Sequence, residues 1–243
     1  MSTLPFPQTR LISTAADHLA FRQWLDGLTQ SSDPGSWSGR TKAHRVLAPL
    51  AVQTELGRGS NRMLLDALKA GADHLPERLT VVAERILDCL ECSTDANRSL
   101  VGDLSHRLIT PVDAEDLVQL SNQFTRSIEL LAGVASMAAI ASIAEPALYP
   151  IHEALDEFFA VSVSALPDLG KRGAAHAGYV QLCAQHQKAK NFFRSYFTDL
   201  VAAADTPERV FAVATVRSEY SRLMTHMVQT ARLIFRIALK NGA

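Results

Sequence analysis

The stretch TPERVFAVATVRSEYSRLMTHMVQTARLIFRIA, residues 206–238, decides the fold class. Within it Val213, Val216, Tyr220, Leu223, Met227, Ala231, Ile234 and Ala238 recur at three- and four-residue steps. That period gathers them on one stripe of a helix, as in bundle helices packed along their whole length. Similar spacing runs through most of the chain, and β-branched alternation bounded by hairpin signals is absent. The expected fold is therefore all-α, with no sheet.

Breaks are expected where Gly, Pro and Ser cluster: Ser31–Gly39, Gly57–Ser60, Pro76, Pro146–Pro150 and Pro167–Gly178. They delimit roughly eight helices. Two amphipathic helices, about Thr14–Leu28 and Thr41–Leu56, come first, the former with Leu19, Trp24, Leu25 and Leu28 on one face.

Working outward from residue 206 exposes an internal repeat. Thr110-Pro111 and Thr206-Pro207 each open a long helical pattern and lie 96 residues apart. At that offset apolar falls on apolar: Leu117 on Val213, Leu120 on Val216, Phe124 on Tyr220, Ile128 on Met224, Leu131 on Met227 and Ala135 on Ala231. Two three-helix units side by side are the expected architecture.

Composition narrows the function classes. The 243 residues include 24 Lys plus Arg against 25 Asp plus Glu, so no net basic field draws nucleic acid or anionic lipid. The first ten residues, with Pro5 and Pro7, lack an apolar signal core, and three cysteines do not make a disulfide framework. A cytoplasmic location is expected. The apolar run Leu130–Ala144, about 15 residues, is shorter than a membrane span and reads as a packed internal helix or, if it faces outward, a homodimer or partner surface.

Thr110-Pro111-Val112-Asp113-Ala114-Glu115-Asp116-Leu117 has a local reading. Thr110 caps a helix, Pro111 fits its first turn, Asp113 returns a capping-box-like bond, and the three carboxylates oppose the positive end of the helix dipole. The same string, followed by Leu120, Phe124 and Ile128-Glu129, also resembles the Thr-Pro-x-Asp-Arg-Glu-Asp signature of PhoU-like regulators of phosphate transport. The likeness is closest to short cytosolic members that accompany Pit-type inorganic phosphate permeases. The ending Ala238-Leu239-Lys240-Asn241 resembles that family's last helix. The resemblance covers about Arg45–Asn241 and implies an extension over 1–44, a first three-helix repeat over 45–145 and a second over 146–243. It further implies a non-enzymatic protein that binds a phosphate permease at its cytoplasmic face, with Thr110, Pro111, Asp113, Glu115 and Asp116 fixing a helix corner.

Family members hold metal ions through carboxylates four residues apart. Carried over without gaps, those positions are Leu90 and Thr94, Thr125 and Glu129, His186 and Lys190, and Ser221 and Thr225. Glu129 alone is acidic and is the one residual ligand candidate; a one-residue shift would recruit Glu91 and Asp95, which read better as a solvated face. No metal or other cofactor is expected.

Other constellations carry little. Cys89, Cys92, Cys183 and His186 offer a formal Cys3His zinc set, but i and i+3 residues are neighbours on any helix. No His-Glu-x2-His motif or nucleophile elbow occurs, and Gly57-Arg58-Gly59-Ser60 lacks the Lys-Ser/Thr of a phosphate loop. Lys171-Arg172 and the Lys188, Lys190, Arg194 face read as solvated helix surface. The competing expectation is a helical scaffold or dimerisation module unrelated to phosphate, joining proteins through its N-terminal extension.

Overall fold

The computed structural model describes residues 21–27, 42–70, 74–106, 112–143, 148–169 and 174–241. Among these residues every regular element is helical and no strand occurs. Helix α1 is the stretch 21–27, followed by α2 (Lys42–Lys69), α3 (Leu75–Ser105), α4 (Ala114–Ala141), α5 (Tyr149–Ala165), α6 (Ala174–Ala202) and α7 (Pro207–Asn241). A 3-10 turn, Leu166–Asp168, closes α5. Helices α2, α3 and α4 pack on one another; α5 packs on α6 and α6 on α7; α2 lies against α5 and α4 against α7.

The apolar stripes face one continuous core. All six pairs matched at the offset of 96 are buried, from Leu117 and Val213 to Ala135 and Ala231. Helix α4 is long and apolar enough by length and composition to cross a membrane. The run from Leu130 to Ile143 faces mainly inward, leaving Ile140 conspicuously exposed at 77%. Phe211, near the start of α7, is similarly exposed at 75%.

The expected break at Gly57–Ser60 does not occur. Helix α2 runs through it, and through Pro49, as one 28-residue element. A glycine pair costs helix propensity, but here tertiary packing decides. A Cβ on Gly57 would lie 2.6 Å from the ring of Phe159, so this glycine lets α2 and α5 approach closely. The expected break over Pro167–Gly178 is narrower than anticipated, because Gly178 already lies inside α6.

The helix ends follow two patterns. Ser142 closes α4 in the left-handed conformation, φ 50°, with the Ile143 N–H donating to Ala138 O at 3.1 Å. Thr206 opens α7 as expected: its hydroxyl accepts from the Arg209 N–H at 3.2 Å, and Pro207 occupies the first turn. The corresponding start of α4 differs. Its first helical residue is Ala114 and Asp113 holds the N-cap position without a side-chain capping bond, which corrects the expected capping role of Asp113. Thr110 and Pro111 lie outside the described residues, as do Leu19, Leu28, Ser31–Gly39 and Lys171-Arg172.

Helix α1 is integrated with the bundle. Phe21, Trp24 and Leu25 are buried in the common core, and the Phe21 ring centroid lies 5.2 Å from the guanidinium carbon of buried Arg85 on α3.

Candidate functional site

The antiparallel seam between α4 and α7 brings the acidic end of the family-like motif together with the basic C-terminal turn of the chain. Lys240 Nζ donates to Asp116 Oδ2 at 3.1 Å and also pairs with Asp113. Arg236 donates to Gln119 Oε1 at 2.6 Å and reaches Asp116 Oδ1 at 3.8 Å. Two carboxylates at an N-terminus and two cations near a C-terminus each complement their helix dipole, and here they also face one another. Asp116 is buried while Glu115 is exposed, so the motif's neighbouring acids stand in different environments. At the far end Arg209 donates to Ala141 O at 3.0 Å and satisfies a terminal carbonyl of α4.

Between these ends the seam is lined by polar groups. His226 Nε2 lies 2.8 Å from Gln123 O, an acceptor only, so Nε2 carries the proton; Ser127 Oγ is 3.1 Å away. Burial holds the His226 pKa below its usual range, with the nearby Arg126 acting in the same direction, so the ring is neutral near pH 7. Farther along, Arg126 pairs with Glu129, and Arg222 NH1 donates to both oxygens of Glu219 at 2.8 and 3.0 Å. Glu219 rests on Gly133, where a Cβ would come within 3.0 Å of its carboxylate.

The positions carried over as metal-ligand equivalents hold four hydroxyls, Leu90, His186, Lys190 and one carboxylate, Glu129. Thr94 donates to Leu90 O at 2.9 Å and Thr225 to Ser221 O at 2.9 Å. Glu129, the residual ligand candidate, is engaged by Arg126. Burial first, then Lys190 and Arg232, lower the His186 pKa. Thr125 joins an unanticipated neutral layer between α2, α3 and α4. Gln53 Nε2 donates to Ser93 O at 3.0 Å and to Thr125 Oγ1 at 3.0 Å, while Ser121 Oγ bonds Gln53 Oε1 and Asn97 Oδ1, each at 2.9 Å. The inward-facing i,i+4 pairs that meet are thus Ser93/Asn97 and Ser121/Thr125, neutral oxygen and amide groups without the charge that draws a hard divalent cation.

Among the described residues no group of three or more His, Cys, Asp or Glu side chains converges on one point. Cys89 is buried and burial raises its thiol pKa to about 12; Cys92 and Cys183 are partly exposed. The four residues of the formal zinc set lie on α3 and α6 and do not assemble into such a group.

Two further nodes bind α5 to its neighbours. Asn61 donates to His152 O at 2.8 Å, and its Oδ1 lies 2.8 Å from His152 Nδ1, so Nδ1 carries the proton and Nε2 accepts from Tyr220 OH at 2.7 Å. All three residues are fully buried. Burial lowers the His152 pKa to about 3 and raises that of Tyr220, so the chain is neutral and serves as a structural peg. At the margin of the α2–α5 contact, Arg58 and Arg62 both fork onto Asp156, at 2.7–3.2 Å. Burial alone would raise the Asp156 pKa, but these hydrogen bonds outweigh it and hold the carboxyl below its usual range.

Compared with known proteins, the chain matches no family profile and no curated sequence. The seam itself offers paired charges and neutral donors.

Proposed function

We propose that this protein is a PhoU-like, non-enzymatic accessory of inorganic phosphate transport that acts by contact with a Pit-type permease at its cytoplasmic face. The observation that carries the reading is the antiparallel packing of α4 on α7, the helices related by the 96-residue offset, with all six matched apolar positions buried in one core. Two short helical units joined through equivalent helices suit a rigid adaptor, whose working surfaces are helix faces and whose interior serves stability. The clasp of Asp113 and Asp116 by Lys240 supports a corner-fixing role for the motif, and it leaves Glu115 exposed for contact.

The scaffold alternative, in which the N-terminal extension joins two proteins, is less favoured by the burial of Phe21, Trp24 and Leu25 in the bundle core. Uptake of radiolabelled phosphate decides between the readings. Cells lacking the protein should differ from wild type in initial uptake rate, and re-expression should restore it; identical rates in low and high phosphate would defeat the permease reading.

A further inference from the structure

The α4–α7 seam contains a surface groove of about 270 Å³ beside the Arg126 and Arg222 ion pairs. Arg126, Ser221, Arg222, Thr225, His226 and Gln229 line it, with Leu130 as an apolar wall. An adjoining hollow of about 190 Å³ shares both arginines and contains Glu129 and Glu219. The two carboxylates line the second hollow and not the first, while both arginines line the two.

We propose that the first groove binds a tetrahedral oxyanion of the phosphate class, gripped between Arg126 and Arg222. Arg222 uses one nitrogen, NH1, for both contacts to Glu219, and Arg126 likewise engages Glu129 through NH1. A guanidinium carries five N–H donors in a planar fork, so each arginine retains Nε and NH2 donors that match a phosphate edge. Glu219, largely buried on Gly133, anchors Arg222 from behind and limits the rotamer freedom lost on binding. Gln229 and Ser221 add neutral donors. His226 donates through Nε2 to Gln123 O, so its Nδ1 bears a lone pair and can accept from a P–OH group but not from a fully deprotonated oxyanion. This favours an oxyanion that keeps a P–OH, hydrogen phosphate or a singly protonated phosphate monoester, over sulfate.

The inference does not rest on the permease reading, because it concerns a ligand of the isolated chain. Equilibrium dialysis of the purified full-length protein against radiolabelled inorganic phosphate at low ionic strength tests it. The chain should retain one phosphate, and sulfate should displace it poorly. R126Q/R222Q should weaken retention by about tenfold or more, and R126K/R222K should also weaken it because the fork is lost. R98Q removes an exposed i,i+3 pair of the same kind, Arg98–Asp95, outside the groove and should leave retention unchanged. Competition by phenyl phosphate separates the sources: displacement at concentrations similar to inorganic phosphate assigns a monoester group, and failure to displace assigns the free ion. No retained phosphate, or retention indifferent to R126Q/R222Q in a variant with wild-type helical circular dichroism, would overturn the proposal.

Discussion

Lys240 on the last turn of α7 donates to Asp116 on the first turn of α4, across 124 residues of sequence and 3.1 Å of space. The bond ties the end of the second helical unit to the motif at the head of α4, with Asp116 buried and Lys240 half-exposed. It gives Asp116 a role in stability.

K240Q and D116N should each lower the thermal midpoint, and the double variant should lose less than the sum of the two, because either change alone breaks the same clasp. E115K reverses an exposed charge in the first turn of α4, where it complements the helix dipole, and should lower the midpoint by only about 2–4 °C. If E115K impairs partner binding while D116N impairs stability, recognition and corner-fixing fall on adjacent residues. Thermal denaturation followed by circular dichroism, alongside a binding assay, separates them.

The buried His152 sets a pH dependence. Its folded pKa, about 3, lies below the ordinary value of 6.5, so the unfolded chain binds the extra proton. The stabilisation is complete above about pH 6.5 and falls as the solution is acidified towards pH 3, losing about 1.4 kcal/mol per pH unit for this one group. His226 and His186 are shifted in the same direction and steepen the loss. Denaturant unfolding at pH 7 and pH 5 should show a clear fall in stability, and the His152 ring should remain neutral by NMR at pH 5. A flat profile would contradict the buried neutral peg.

Y220F tests the same node without changing charge. It leaves His152 Nε2 without the Tyr220 hydroxyl, which should cost about 1–3 kcal/mol and lower the midpoint by several degrees.

Gly57 and Gly102 should respond to alanine in opposite ways. G57A drives a methyl into the buried Phe159 ring and should destabilise by about 1–3 kcal/mol. Gly102 has open space around its would-be Cβ on an exposed face of α3, so G102A should stabilise by about 0.5–1 kcal/mol through helix propensity. Chemical denaturation midpoints check both.

The stripe-forming residues of α4 and α7 were legible because burial and period coincide: Phe124 and Tyr220 both lie on apolar stripes and both are fully buried. The Thr206-Pro207 start of α7 was legible because it is local. The continuity of α2 through Gly57 was not, since the favourable contact comes from Phe159 on another helix. The polar layer was equally hidden. Gln53 finds Ser93 and Thr125 at separations of 40 and 72 residues, and no local pattern marks such partners. The Arg126–Arg222 groove also needs α4 and α7 side by side before its two cations share a surface. Arg58 and Arg62, one turn apart, were the most readable of the missed pairs, because i,i+4 residues share a helix face and invite a common acidic partner.

Burial of α1 yields a further prediction. F21A removes a buried ring from the core and from the face of Arg85, and should cost about 3 kcal/mol. Loss of function on deleting residues 1–44 must therefore be read together with the thermal midpoint of the truncated chain.

Contact with a phosphate permease is tested by a crosslinked pull-down of the tagged full-length protein from its own cells in low and high phosphate. With partners identified by mass spectrometry, a phosphate permease should be enriched over an untagged control, with less recovered from E115K. Recovery of other proteins under both conditions, with no permease above background, would contradict it.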